Sequence, residues 1–254
     1  MMRRFILAFL PFLALGMVSC QQTVSKQTAK VTNTYPHDSE AFTQGLLYFD
    51  GKLYESTGLN GRSSLREVNL ETGEVIRSLP LADVYFGEGL ARLNDKLIQI
   101  TWRNGDAFLY DLDTFNEEKG FRYETEGWGI CFDGTDLYMT DGSSTLYKRS
   151  AETFDILKEI SVRSEGAAVT RLNELECVDD FIYANIWQTD TIVKIDKSSG
   201  NVVTNIDASA LLTENEKEAL VSDAVLNGIA YNEQTQTFYL TGKLWPKVFE
   251  VKFE

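Results

Sequence analysis

Glu88, Lys243 and three tryptophans, Trp102, Trp128 and Trp187, are the residues of this 254-residue chain whose types could do chemistry together. A carboxylate and an amine can take and return protons. Indole rings with a few aimed polar groups describe a pocket for a small ligand. These residues are scattered from position 88 to position 243, so only the fold can assemble them. The chain has one histidine, His37, which excludes a three-histidine zinc site. A Ser-His-Asp triad would have to use that residue, and it lies in a Tyr-Pro-His-Asp run whose chemistry reads as a turn. The net charge of −14 repels phosphate backbones, so nucleic acid is not an expected partner.

The elements that must position these side chains are announced by self-similarity. Five segments each hold a short apolar stretch, a turn and an alternating apolar stretch: QGLLYFDGKLYESTG, EGLARLNDKLIQITW, WGICFDGTDLYMTDG, NELECVDDFIYANIW and NGIAYNEQTQTFYLTGK. Asp50-Gly51, Asn94-Asp95, Asp133-Gly134 and Asp179-Asp180 are hairpin signals, and the fifth turn is longer. The apolar residues just after the turns, Leu53, Leu97, Leu137, Ile182 and Phe238, are spaced by 44, 40, 45 and 56. The last interval is stretched by Ala208–Val221, where Thr213 and Glu216 form a capping box ahead of a short inserted helix. A second strand pair follows each of the first four hairpins, which gives four strands per repeat. That is the make-up of a propeller blade. The predicted fold is all-β: a five-bladed β-propeller with four-stranded blades, formed by residues 31–254. The fifth repeat lacks its last strand, and the spare N-terminal segment Lys26–Thr34 is expected to supply it and close the ring. A β-sandwich gives no reason for so regular a period. A closed ring hides its own edges, so a monomer is expected.

Counting nine residues back from each of the first four anchors gives Gln44, Glu88, Trp128 and Asn173, and Asn227 is the equivalent in repeat five. Counting five forward gives Gly58, Trp102, Gly142, Trp187 and Lys243. The two sets are symmetric about the hairpin turn, so they are expected as cross-strand neighbours around one mouth of the channel. Water-filled channels and inter-blade packing would also use polar residues and tryptophans. The concentration of a carboxylate, a lysine and three tryptophans on these positions favours a site.

FTQGL (42–46), FGEGL (86–90), EGWG (126–129), NELE (173–176), ANIWQTD (184–190), LNGIAY (226–231) and TGKLWP (241–246) resemble the glutaminyl cyclases of the plant and bacterial type, over about residues 31–254. The resemblance implies a five-bladed propeller that converts the N-terminal glutamine of peptides or proteins to pyroglutamate and releases ammonia. It implies that Glu88 is the acid/base and that Asn173 and Lys243 hold the substrate and its carbonyl oxygen. Trp102, Trp128 and Trp187 would wall the pocket with Phe42, Gln44 and Phe86. It implies no cofactor for catalysis and a structural calcium ion, for which no sequence motif identifies a site. Two other readings stand beside it: a non-catalytic ligand-binding propeller, and a metal-dependent lactonase-like propeller, which would need several carboxylates around its metal.

Residues 1–20 read as an export signal. Arg3 and Arg4 precede an apolar stretch, Phe5 to Leu15, too short to span a bilayer. Cys20 ends a segment that resembles the lipobox of bacterial lipoproteins, with Met17 where leucine is usual. Lipidation of Cys20 would anchor the protein to a bacterial membrane, on the periplasmic side or the cell surface, through a flexible tether over residues 21–30. An ordinary cleaved signal with a chance cysteine is the alternative. Cys131 and Cys177 occupy the same place in neighbouring repeats and are expected either as a disulfide or as buried thiols.

Overall fold

The turn residues do what their conformations require. Asp50 and Gly51 both take positive φ, as do Asn94, Gly134 and Asp179, so each inner hairpin reverses tightly. The outer hairpins share a second device. Asn69, Asp111, Ser150 and Asp196 each use a side-chain oxygen to accept the N–H three residues on. The carbonyl of each accepts the N–H four residues on. Asn232 does the same in the longer turn of the fifth repeat.

A computed structural model describes residues 23–254. The chain enters through β1 (Ser25–Pro36). Blade one is β2 (Thr43–Phe49), β3 (Lys52–Thr57), β4 (Ser64–Asn69) and β5 (Val75–Pro80). Blade two is β6 (Gly87–Leu93), β7 (Lys96–Thr101), β8 (Asp106–Asp111) and β9 (Glu117–Arg122). Blade three is β10 (Ile130–Phe132), β11 (Asp136–Met139), β12 (Thr145–Ser150) and β13 (Ile156–Ser161). A two-stranded ribbon that the repeat does not foretell follows, β14 (Arg163–Ser164) with β15 (Ala167–Ala168). Blade four is β16 (Leu172–Val178), β17 (Phe181–Ile186), β18 (Thr191–Asp196) and β19 (Val202–Asp207). The inserted helix α1 (Glu214–Ala219) carries the expected capping box. Blade five is β20 (Leu226–Asn232), β21 (Thr237–Gly242), β22 (Lys247–Phe253) and, from the other end of the chain, β1.

The ring is closed. The innermost strands neighbour one another in the order β2, β6, β10, β16, β20 and back to β2. Five apolar cores lie between successive blades, and each holds one anchor: Leu97, Leu137, Ile182, Phe238 and Leu53. Burying these faces supplies the main driving force, at roughly 25 cal/mol per Å² of apolar surface.

Strand β1 differs from the expectation at its start. Ala29–Pro36 pair antiparallel with β22, which closes the last blade as predicted. Of the tether expected over residues 21–30, Ser25 to Lys30 are strand, as the overlapping expectation for Lys26–Thr34 has it in part, and Ser25–Thr28 pair in parallel with the outer strand β19 of blade four rather than with blade five. The free edge of β19 gives their backbone groups partners, so one strand joins two blades into an eight-stranded sheet. The export segment and Cys20 lie outside the described residues. Among the described residues no helix is long and apolar enough to cross a membrane. Cys131 and Cys177 form a disulfide between the inner strands of blades three and four.

Candidate active site

One irregularity, repeated, aims the site. The inner strand carries a β-bulge in blades one, two, four and five, and Gln44, Glu88, Asn173 and Asn227 lie within them. A bulge bends its strand and redirects a side chain. It also corrects the expected register: Glu88 does not face Trp102 across its hairpin. The Trp102 N–H donates to the Phe86 carbonyl at 3.0 Å, Gly58 to Phe42 at 2.8 Å, Trp187 to Arg171 at 2.9 Å and Lys243 to Val225 at 2.9 Å. The residue two places before each bulge is therefore the true partner, which brings Phe42 and Phe86 to the mouth. Two of the forward positions are glycine for space. A Cβ on Gly58 would lie 2.4 Å from the Phe86 ring, and one on Gly142 would lie 2.6 Å from the Trp128 ring.

All nine residues expected at the site line one cavity of about 320 Å³: Phe42, Gln44, Phe86, Glu88, Trp102, Trp128, Asn173, Trp187 and Lys243. Phe42 meets Phe86 edge-on at 6.1 Å, and Phe86 meets Trp102 at 5.5 Å. Trp128 and Trp187 meet edge-on at 5.5 Å on the other side. The floor is polar and ordered. Asn227 Nδ2 donates to the Thr43 carbonyl at 2.9 Å and to Gln44 Oε1 at 3.3 Å. Gln44 Nε2 in turn donates to Glu88 Oε1 at 3.0 Å, so the Gln44 amide has one orientation.

Burial pushes the Glu88 carboxyl well above its usual range; the Lys243 charge opposes this and the Glu126 charge adds to it. Burial lowers the Lys243 ammonium, against the pull of Glu88 and Asp223. No ion-pair contact of 4.0 Å or less joins Glu88 to Lys243 among the described residues, so the two charges flank a gap. The Lys243 ammonium lies 4.9 Å from the centre of the Phe42 ring. Its backbone is held by a left-handed turn at Leu244, whose N–H donates to the Ala41 carbonyl at 2.7 Å. The buried Trp245 fixes the other side through a 3.0 Å bond to the Ala224 carbonyl. Asn173 is anchored at its carbonyl, which accepts from Thr140 Oγ1 at 2.8 Å, and its side chain faces the cavity.

Behind this floor a carboxylate ties the inner strands of three blades together. Glu174 is wholly buried, and its two oxygens accept the N–H of Leu46 in blade one at 3.2 Å and of Ile229 in blade five at 2.8 Å. The equivalent positions of the other blades are glycines 45, 89, 129 and 228. On the side of the hairpin turns lies a separate polar cavity of about 690 Å³.

His37 is outside the active-site cavity and serves the fold, as the lone-histidine argument anticipates, though it is more than a turn residue. Its Nδ1 donates to the Trp245 carbonyl at 2.7 Å and its Nε2 to Glu55 at 3.0 Å, both side chains being buried. The sequence reading missed Leu59, Gln188, Ser222, Asp223 and Val225, which also line the cavity. Most of these lie in loops without equivalents in other blades, so the repeat carries no signal for them. Among the described residues no three His, Cys, Asp or Glu side chains group in a metal-binding arrangement, so no side-chain cluster of that kind marks a place for the expected calcium ion. The same observation removes the carboxylate cluster that a lactonase-like metal centre needs.

Residues 6–253 match the model of a protein family described as glutamine cyclotransferase. A glutaminyl-peptide cyclotransferase of Arabidopsis thaliana is 39% identical over 227 residues, covering 89% of this chain and 71% of that protein. The crystal structure of a Myxococcus xanthus glutaminyl cyclase superposes with a TM-score of 0.86 at 37% identity, over 91% of this chain and 98% of that one.

Proposed function

The chain belongs to the glutamine cyclotransferase family, and from that membership we propose how its own residues carry out the reaction. It is a glutaminyl-peptide cyclotransferase: it converts the N-terminal glutamine of peptides to pyroglutamate and releases ammonia. The α-amine attacks the γ-carboxamide carbon of the same residue. Because the attack is intramolecular, the enzyme has mainly to select the folded conformer of the side chain. The aromatic sides of the cavity suit that task.

Amide anion is too basic to leave, so the departing nitrogen must be protonated. Glu88 takes the proton from the attacking amine and gives it to that nitrogen. The observation that carries this role is a buried carboxyl with a raised pKa, held through Oε1 by Gln44, at the floor of an aromatic cup. A group of raised pKa can serve as base and then as acid near neutral pH. Lys243 and Asn173 stabilise the oxyanion that develops on the carbonyl. Every proton transfer in this scheme is carried by Glu88 and every stabilising contact by Lys243 and Asn173.

Glu88→Gln tests the assignment with a Gln-initiated peptide, read as ammonia release. The amide keeps an acceptor for Gln44 but cannot shuttle a proton. Turnover should fall by about 10²–10⁴-fold while the melting curve stays close to that of the parent. A folded variant that turns over at the parental rate would remove Glu88 from the chemistry.

We also infer that residues 1–20 export the protein and that Cys20 anchors it by lipid, on the periplasmic side of a membrane or at the cell surface. The Arg3-Arg4 start, the short apolar stretch and the Cys131–Cys177 disulfide support this, since disulfides persist in oxidising compartments. The closed ring supports a monomer, because it leaves no inner edge to be covered.

A further inference from the structure

The walls of the pocket come in two pieces. Phe42, Phe86 and Trp102 form one aromatic run from blades one and two. Trp128 and Trp187 form the other, from blades three and four. One carboxylate oxygen joins them. Glu126 Oε2 accepts the indole N–H of Trp102 at 2.8 Å and of Trp128 at 3.0 Å. Its other oxygen accepts from Arg103 Nε at 3.0 Å. The Arg103 guanidinium lies 3.7 Å over the Trp102 ring, on whose face its charge is attracted.

The carboxylate reaches this place on a pinned loop. The Gly127 N–H donates to the Trp102 carbonyl at 2.8 Å. A Cβ on Gly127 would lie 2.4 Å from the Tyr123 hydroxyl and 2.7 Å from the Thr101 carbonyl, so the loop packs directly on blade two. Glu126 is thus held by its backbone while it holds two indoles by their N–H groups.

We propose that Glu126 is a positioning residue for the cyclisation, a clamp that sets the distance and tilt between the two halves of the aromatic wall. The inference rests on the cavity being the cyclisation site. Its chemical consequence is conformer selection: the gap between Trp102 and Trp128 decides whether the glutamine side chain is folded toward its own amine. Both indoles would otherwise lose a charged acceptor, and bonds to charged groups are among the stronger ones. The side chain does not line the cavity, so it acts through the tryptophans.

The test compares Glu126→Ala and Glu126→Gln, with kinetics on a Gln-initiated peptide and acrylamide quenching of tryptophan fluorescence. The alanine variant should lose on the order of tenfold to a hundredfold in kcat/KM, with KM raised, and its tryptophans should become easier to quench. The glutamine variant keeps an acceptor oxygen and should recover most of the loss in KM and in quenching. Parental KM and quenching in the alanine variant would overturn the proposal. So would a glutamine variant as impaired as alanine, since charge and not wall geometry would then be at work. Quenching reads the clamp without turnover. An inactive parent would therefore count against the cyclisation reading, and unchanged quenching against the clamp.

Discussion

Among single residues, the repeat made the site legible and hid its supports. Glu88, Asn173 and Lys243 were found because each holds a ring position in its blade. Glu126 sits in the quoted EGWG motif, yet its bonds to two indoles have no sequence signature. His37 shows the other limit. Its neighbours in sequence suggest a turn, and only the fold brings Glu55 to its ring. The Trp245 carbonyl can only accept, so Nδ1 carries a proton, and beside an ionised Glu55 carboxylate Nε2 carries one too, which charges the imidazole. Burial opposes that charge, but the Glu55 carboxylate outweighs it and the pKa rises above 6.5. Glu55 is likewise penalised by burial, and His37 overcomes this to hold it below 4.5. A raised histidine adds stability that is complete below its unfolded pKa and lost as pH rises through the folded one. A lowered carboxyl adds stability above its unfolded pKa, lost as pH falls through the folded value. The pair therefore stabilises most between 4.5 and 6.5. His37→Asn should cost most stability in that window, and the difference from the parent should shrink as pH rises above it. Urea denaturation from about pH 5 to about pH 9 measures this. A difference that does not change with pH would show that the pair is not charged.

At the level of elements, period-two alternation and turn residues located nearly every strand, because both are local. The capping box located α1 for the same reason. The bulges were not legible: they are departures from the period, and they moved the expected cross-strand pairing by two residues. Their neighbours explain the glycines. A Cβ on Gly45 would lie 2.4 Å from the Leu90 nitrogen, and one on Gly89 would lie 2.6 Å from the Ile130 nitrogen. These are contacts with the backbone of the next blade, which cannot swing aside. Gly89→Ala should destabilise the fold by about 1–3 kcal/mol, read as a lower urea midpoint at unchanged slope. An unchanged midpoint would mean that the inner strands have more room than their spacing implies.

For the molecule as a whole, the number of blades followed from the repeat and the closure from a spare strand. The double pairing of β1 did not, since no local pattern marks the free edge of β19. Closure now rests on several joints: β1 between blades four and five, His37–Glu55 between five and one, and the disulfide between three and four. The disulfide closes a loop between positions 46 apart, for which chain-entropy reasoning gives about 4 kcal/mol. The proposed lipid anchor belongs to this scale too. In a bacterial host, Cys20→Ser should move cyclase activity from the membrane fraction to the soluble one. Parent protein already found in the soluble fraction would exclude the anchor. The Glu174 bridge has a consequence for traffic. Glu174 ties blades one, four and five together just behind the floor, which narrows the way from the cup toward the hairpin turns. Ammonia should therefore leave on the side by which the peptide entered, past the reacted end of the chain.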